Sequence, residues 1–162
     1  MAATTAFIQG LAAAADEDGR ATVAWNEDRF GAPGGNNAVP RVVRAATARA
    51  GAPLSAPRLI AARRGASATT PVVAAANGRV ALAWSLGSTR SSVRVQAAVG
   101  PTGGPGPAQS VAHWTLSGGF LAPRPAMATT LAPNGTATVL YAETVEGANR
   151  TLSQRVLAAD GR

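Results

Sequence analysis

"NGRVALAWS", Asn77–Ser85, sits near the middle of the chain and has two near-copies. "DGRATVAWN" covers Asp18–Asn26 and "NGTATVLYA" covers Asn134–Ala142. Their glycines, Gly19, Gly78 and Gly135, fall 59 and 57 residues apart. A phrase recurring at nearly constant spacing marks a repeated unit, in which each copy buries a face that it cannot cover alone.

The flanks repeat as well. Upstream stand the apolar runs "TTAFIQGLAAAA", "TTPVVAAA" and "PAMATTLA". Downstream stand "VPRVVRAATARAG", "SSVRVQAAVG" and "TLSQRVLAADG". A fourth element follows in two copies, "APRLIAARRG" and "AQSVAHWTLSGG", and is missing from the third, where the chain ends at Arg162. All these runs have strand length and strand composition. The Asp-Gly and Asn-Gly pairs predict tight hairpins between first and second strands, because positive φ costs glycine nothing and Asn or Asp little.

The second strand carries the most information. In the middle copy Val80, Leu82 and Trp84 point one way, and Ala81, Ala83 and Ser85 the other, because side chains alternate along a strand. The bulky set is Ala21, Val23 and Trp25 in the first copy, and Ala137, Val139 and Tyr141 in the third. A strand with one bulky and one small face, and little charge on either, is predicted to be covered on both sides. Sheets stacked face to face, bulky side on small side, give that pattern.

A four-stranded antiparallel meander of this length, recurring almost three times, has the period and content of a β-propeller blade. The hairpin "PVVAAANGRVALAW", with Pro71, Asn77, Gly78 and Trp84, resembles the blade repeats of bacterial propellers loosely grouped with sialidase-like folds. The likeness is one of architecture. The sialidase Asp-box, Ser-x-Asp-x-Gly-x-Thr-Trp, is absent: five residues part Gly78 from Trp84 where the box has two. The expected fold is all-β. Blade one spans about 4–65, blade two about 66–119, and an incomplete blade three about 120–162. Fewer than four blades do not close a ring. The expected partner is therefore the rest of a larger propeller chain, or another copy of this one.

Composition narrows the chemistry. All fifteen basic residues are arginine, against eight carboxylates, for a net charge of +7. That balance permits polyanion binding. With no lysine there is no Walker-type phosphate loop and no Schiff base, and with no cysteine there is no disulfide or thiolate metal site. The glycine clusters "GAPGGNNA" and "GPTGGPGP" read as connecting loops. No apolar run approaches a membrane span, and the N-terminus lacks the basic region of a signal peptide. The compartment is left open, with an extracellular or cell-surface setting as one reading for a longer parent.

Few residues suggest catalysis. His113, the only histidine, has no carboxylate near it in sequence and reads as structural or surface. Tyr141 and Glu143 share a strand face, but Tyr141 aligns with Trp25 and Trp84 and so reads as core. "DEDG" at 16–19 reads as a solvated turn rather than a calcium loop. No catalytic residue, metal or cofactor is assigned.

Binding is expected where the copies disagree, in the loops between second and third strands, since repeat insertions map to one face. Glu27, Asp28, Arg29, Arg90, Glu143, Glu146 and Arg150 lie there. Arg41, Arg44, Arg49, Arg58, Arg63 and Arg64, on the third and fourth strands of blade one and the turn after them, form a basic rim open to phosphate or sulfate, with Arg41, Arg44, Arg63 and Arg64 as the polyanion candidates. The reading is a non-enzymatic propeller segment acting as scaffold or binding surface, with carbohydrate or polyanion as ligand class. The alternatives are a fragment of a sialidase-like or other glycoside-active propeller, and an arginine-driven polyanion module.

Overall fold

The computed structural model describes residues 6–29, 40–64, 66–88, 92–115, 125–144 and 150–158. Among them are three antiparallel sheets and no helix, an arrangement consistent with partial propeller blades. No helix among the described residues is long and apolar enough to cross a membrane.

The first sheet is a meander of β1 (Ala6–Ala15), β2 (Arg20–Arg29), β3 (Pro40–Arg49) and β4 (Arg58–Arg64), in that order. The second contains β5 (Ala66–Ala68), β6 (Val72–Ala76), β7 (Arg79–Ser88), β8 (Ser92–Pro101) and β9 (Gln109–Thr115). The third holds β10 (Met127–Leu131), β11 (Ala137–Thr144) and β12 (Arg150–Leu157).

The expected first strand of the second sheet is β6, and a short strand the sequence reading did not expect, β5, precedes it. β6 pairs with β7 from Val72↔Ala83 to Ala76↔Arg79, and β5 pairs with the far end of β7 from Ala66↔Ser88 to Ala68↔Leu86. At the break, buried Thr69 takes over the ladder. Its N–H donates to Ser85 O at 3.1 Å, and its Oγ1 accepts from Ser85 N at 3.0 Å. A side-chain oxygen has replaced a carbonyl, which leaves both groups of Ser85 satisfied where Pro71 interrupts the strand.

The hairpin turns are of two kinds, which corrects the expectation of one. In the second sheet Asn77 and Gly78 have φ of 49° and 67°, a two-residue turn with both central residues left-handed. In the first and third sheets only the glycine is left-handed, Gly19 at 70° and Gly135 at 83°. There Gly19 N donates to Asp16 O at 3.1 Å, and Gly135 N to Ala132 O at 2.8 Å. These are longer turns closed by a glycine bulge. Pro133 explains the choice in the third sheet: it has no N–H to donate in the pair that would close a two-residue Asn134-Gly135 turn, and its φ near −65° suits the first central position of the Ala132–Gly135 turn. The "DEDG" turn is also less solvated than expected: Asp16 is buried and its Oδ1 accepts from Arg20 N at 2.8 Å.

The sheets stack as the alternation in β2, β7 and β11 requires. Val80, Leu82 and Trp84 pack with Ala24, Val43 and Ala45 of the first sheet. Ala81 and Ala83, on the other face of β7, pack with Ala137, Val139 and Tyr141 of the third. Bulky side meets small side at both seams. Trp84 is fully buried, and Tyr141 stacks on Trp114 of β9 with ring centroids 6.2 Å apart.

A bulge recurs at equivalent places and feeds the seams. Between β3 and β4 the register slips after Val43, and between β8 and β9 after Val95. The extra residues, Ile60 and Val111, join the first and second seams respectively. Bulges re-aim side chains in this way.

Candidate functional site

The first seam changes character along its length. At its centre Val43, Ala45 and Ala24 face Val80, Leu82 and Trp84. Toward the β1–β2 turn, the same face of the first sheet continues as Thr22 and Arg20 on β2, with Thr47 and Arg49 on β3; Arg20 stands directly opposite Arg49. Across from them lies the β8–β9 loop of the second sheet. That loop is folded against its own strands: Thr102 N donates to Gly78 O at 2.9 Å and Gly106 N to Val99 O at 3.1 Å. Gly100 allows this closeness, because a Cβ there would sit 2.6 Å from Gly106 N. "GPTGGPGP" is therefore a packed loop.

Between the two sheets this end forms a cleft of about 340 Å³ lined by Arg20, Thr47, Arg49, Pro53, Ser55 and Thr102. A smaller inner cavity of about 10 Å³ shares Thr47, Ser55 and Thr102 with it and adds Thr22 and Arg58. Arg58 Nη1 donates to Gly103 O at 2.8 Å, bridging the sheets. Ser55 Oγ accepts from Thr47 N at 3.0 Å. Thr22 and Thr102 are buried, and neither Oγ1 has a hydrogen-bond partner among the described residues.

The turns themselves are tied together across the sheets. Glu17 Oε1 accepts from Asn77 N at 2.6 Å, and Asn77 Nδ2 donates to Pro133 O at 2.9 Å. A line of bonds thus runs from the first turn through the second to the third, and fixes the end at which the cleft opens.

The loop and polyanion candidates from sequence fall elsewhere. Glu27 and Arg44 meet on the outer face of the first sheet, where Arg44 Nε lies 3.1 Å from Glu27 Oε1 and 3.1 Å from Oε2. Trp25 Nε1 donates to Glu27 Oε1 at 2.9 Å. The carboxylate therefore holds an indole and a guanidinium of its own sheet. Arg41 is half-buried on β3. Asp28, Arg29, Arg63, Arg64, Glu143 and Arg150 lie in strands, but their side chains are outside the described residues, and Arg90 and Glu146 are outside them altogether. His113 is exposed on β9. Among the described residues no three His, Cys, Asp or Glu side chains gather to hold a metal.

The sequence placed Arg49 and Arg58 on the basic rim of blade one but did not show the cleft. Arg20 was visible as the residue after the glycine, matched by Arg79 in the second copy, yet its place depends on strands of another sheet. Its Nη1 lies 3.2 Å from where a Gly78 Cβ would stand, so it reaches across the seam.

No family model matches the chain. No curated protein matches it either. A solved structure similar to it is the alpha-L-arabinofuranosidase from Podospora anserina in complex with cellotriose, at 9% identity and a TM-score of 0.37. The match covers 93% of this chain and 64% of that one. Likeness at that level carries no inference about activity.

Proposed function

We propose that the chain is a non-enzymatic β-propeller segment, a blade array that serves as scaffold and binding surface and completes itself through its two end faces. One observation carries this reading: each end face is half of a seam. The outer face of the first sheet is of the bulky kind, with the row Leu11–Trp25–Arg44–Leu59 running across it. Leu11 and Leu59 are 59% and 57% exposed. The outer face of the third sheet mixes small and large side chains, with Ala128, Thr130, Thr138 and Ala142 beside Leu140, Leu152 and Val156. Both end-face aliphatics of β12 are exposed.

At the internal seams apolar faces of successive sheets cover each other, and the two end faces are the ones left without a facing sheet among the described residues. Exposed apolar faces of this type mark association surfaces. A contact between unlike faces closes a ring when its rotation allows, and extends without limit when it does not. Further blades of the same chain, or a second copy, would each supply the missing half. The carboxylates near the seams support an architectural reading: Asp16 closes a turn, Glu17 joins two turns, and Glu27 holds Trp25 and Arg44.

Size-exclusion chromatography with light scattering tests this. The expected mass exceeds the 16.1 kDa of one chain and rises with concentration. A discrete dimer assigns the second copy as partner, and open-ended association assigns the face to further blades of a longer chain. Leu11→Arg is expected to lower the mass. A single species of 16.1 kDa at all concentrations overturns the proposal.

A further inference from the structure

The cleft at the turn end of the first seam has the chemistry of an anion site. Arg20 and Arg49 are directly opposed on neighbouring strands, and like charges in that position repel. Among the described residues no carboxylate lines the cleft, and Asp16 and Glu17 of the adjoining turn accept from Arg20 N and Asn77 N. Arg20 crosses the seam toward Gly78, and Arg58 of β4 is tethered to Gly103 O beside the smaller cavity, so arginines of three neighbouring strands line this end of the seam. Thr47 and Ser55 also line the cleft, with Ser55 Oγ accepting from Thr47 N and lying 3.4 Å from Thr47 Oγ1. Beneath, Thr22 and Thr102 are 0% and 3% exposed, with Oγ1 atoms that find no partner among the described residues. A buried hydroxyl without a partner is costly, and such groups border sites that take a polar ligand or water.

We infer that this cleft binds a tetrahedral oxyanion, a phosphate or sulfate group, clamped between the first two sheets. Arg20 and Arg49 supply charge-assisted donors in the planar fork that suits such oxygens. Thr47 Oγ1 lies 3.4 Å from Ser55 Oγ at the wall, and accepting from Ser55 leaves its own proton to donate to the anion. The inner cavity, at about 10 Å³, holds about one water molecule, enough to link the Thr22 and Thr102 hydroxyls beneath the anion. The cleft volume of about 340 Å³ lies at the low end for small-molecule sites. The anion can therefore be free or carried as a monoester on a body of about sugar size. Because the ligand bridges both sheets, its binding stabilises the seam. The site lies at the end of the sheets opposite the loops singled out from sequence, and it does not depend on how the end faces are completed.

Isothermal titration calorimetry of the full chain with inorganic phosphate, inorganic sulfate and glucose 6-phosphate tests the site. Saturable binding of phosphate or sulfate at one site per chain is expected. Arg49→Gln, on an exposed residue, and Arg20→Gln are each expected to weaken it by about tenfold. Arg155→Gln, an exposed arginine on β12 with the same change in net charge, should leave it within about twofold. Tighter binding of glucose 6-phosphate assigns a monoester, and equal binding a free anion. Phosphate should also raise the melting temperature of the parent chain and not of Arg49→Gln. No saturable binding by any probe, or equal weakening by Arg155→Gln, overturns the inference.

Discussion

Trp25 and Trp84 occupy the same place in their repeats and meet different neighbours. Trp84 is fully buried at the first seam, among residues of two sheets. Trp25 is 8% exposed, lies in the first sheet's outer face, and bonds through Nε1 to Glu27 two residues along its own strand. The same sequence position is core in one copy and end face in the next. The difference teaches that the repeat encodes a face, while the adjoining sheet decides whether that face becomes core.

The largest expected effect separates the two indoles. Trp84→Ala empties a fully enclosed site and should cost about 3–5 kcal/mol by urea unfolding. Trp25→Ala removes an indole buried within its own sheet and outside the seam clusters, and should cost less, about 2–3 kcal/mol. Equal costs would break the distinction between seam and end face.

A second pair probes how closely the β8–β9 loop is folded. Gly100→Ala drives a Cβ to 2.6 Å from Gly106 N and 3.0 Å from Pro105 Cα, both backbone atoms. It should cost about 1–3 kcal/mol. Gly103→Ala meets nothing within 4 Å and should stay within about 0.5 kcal/mol of the parent. A neutral Gly100→Ala would show that the loop is not packed as described.

The smallest contrast lies between the turns. Asn77→Ala puts a Cβ-bearing residue without a polar side chain at φ 49° and removes the bond to Pro133 O, for about 1–2 kcal/mol. Asn134→Ala loses only an acceptor for Thr136 N, at 3.0 Å, and should cost about half as much. A reversed order would mean that the line of bonds through the three turns contributes nothing.

The second strands were legible because their information is local. Alternation with period two in "RVALAW" states which residues share a face, and stacking follows from bulk on one side and alanine on the other. The turn types were only half legible. The dipeptide Asn-Gly is common to the second and third copies, but Pro133 lacks the N–H that would close the short turn in the third. Thr69 could not be read as a ladder substitute, because its partner Ser85 is sixteen residues away and only the folded hairpin brings them together. The cleft was the least legible. Arg20, Arg49, Arg58 and Thr102 come from separate elements of two sheets, and no local pattern joins them before the seam forms. The loops in which sequence reading placed ligand contacts, around Arg90 and Glu146, lie outside the described residues.

The central claim is that successive sheets pack bulky face on small face, and a double-mutant cycle across the first seam tests it most directly. Leu82 of β7 and Val43 of β3 are both fully buried in the same cluster. Unfolding free energies of Leu82→Ala, Val43→Ala and the double variant should reveal a coupling of about 1 kcal/mol or more, because the two residues line one shared space. Costs that add to within about 0.5 kcal/mol would show that the two sheets do not meet there, and would contradict the account.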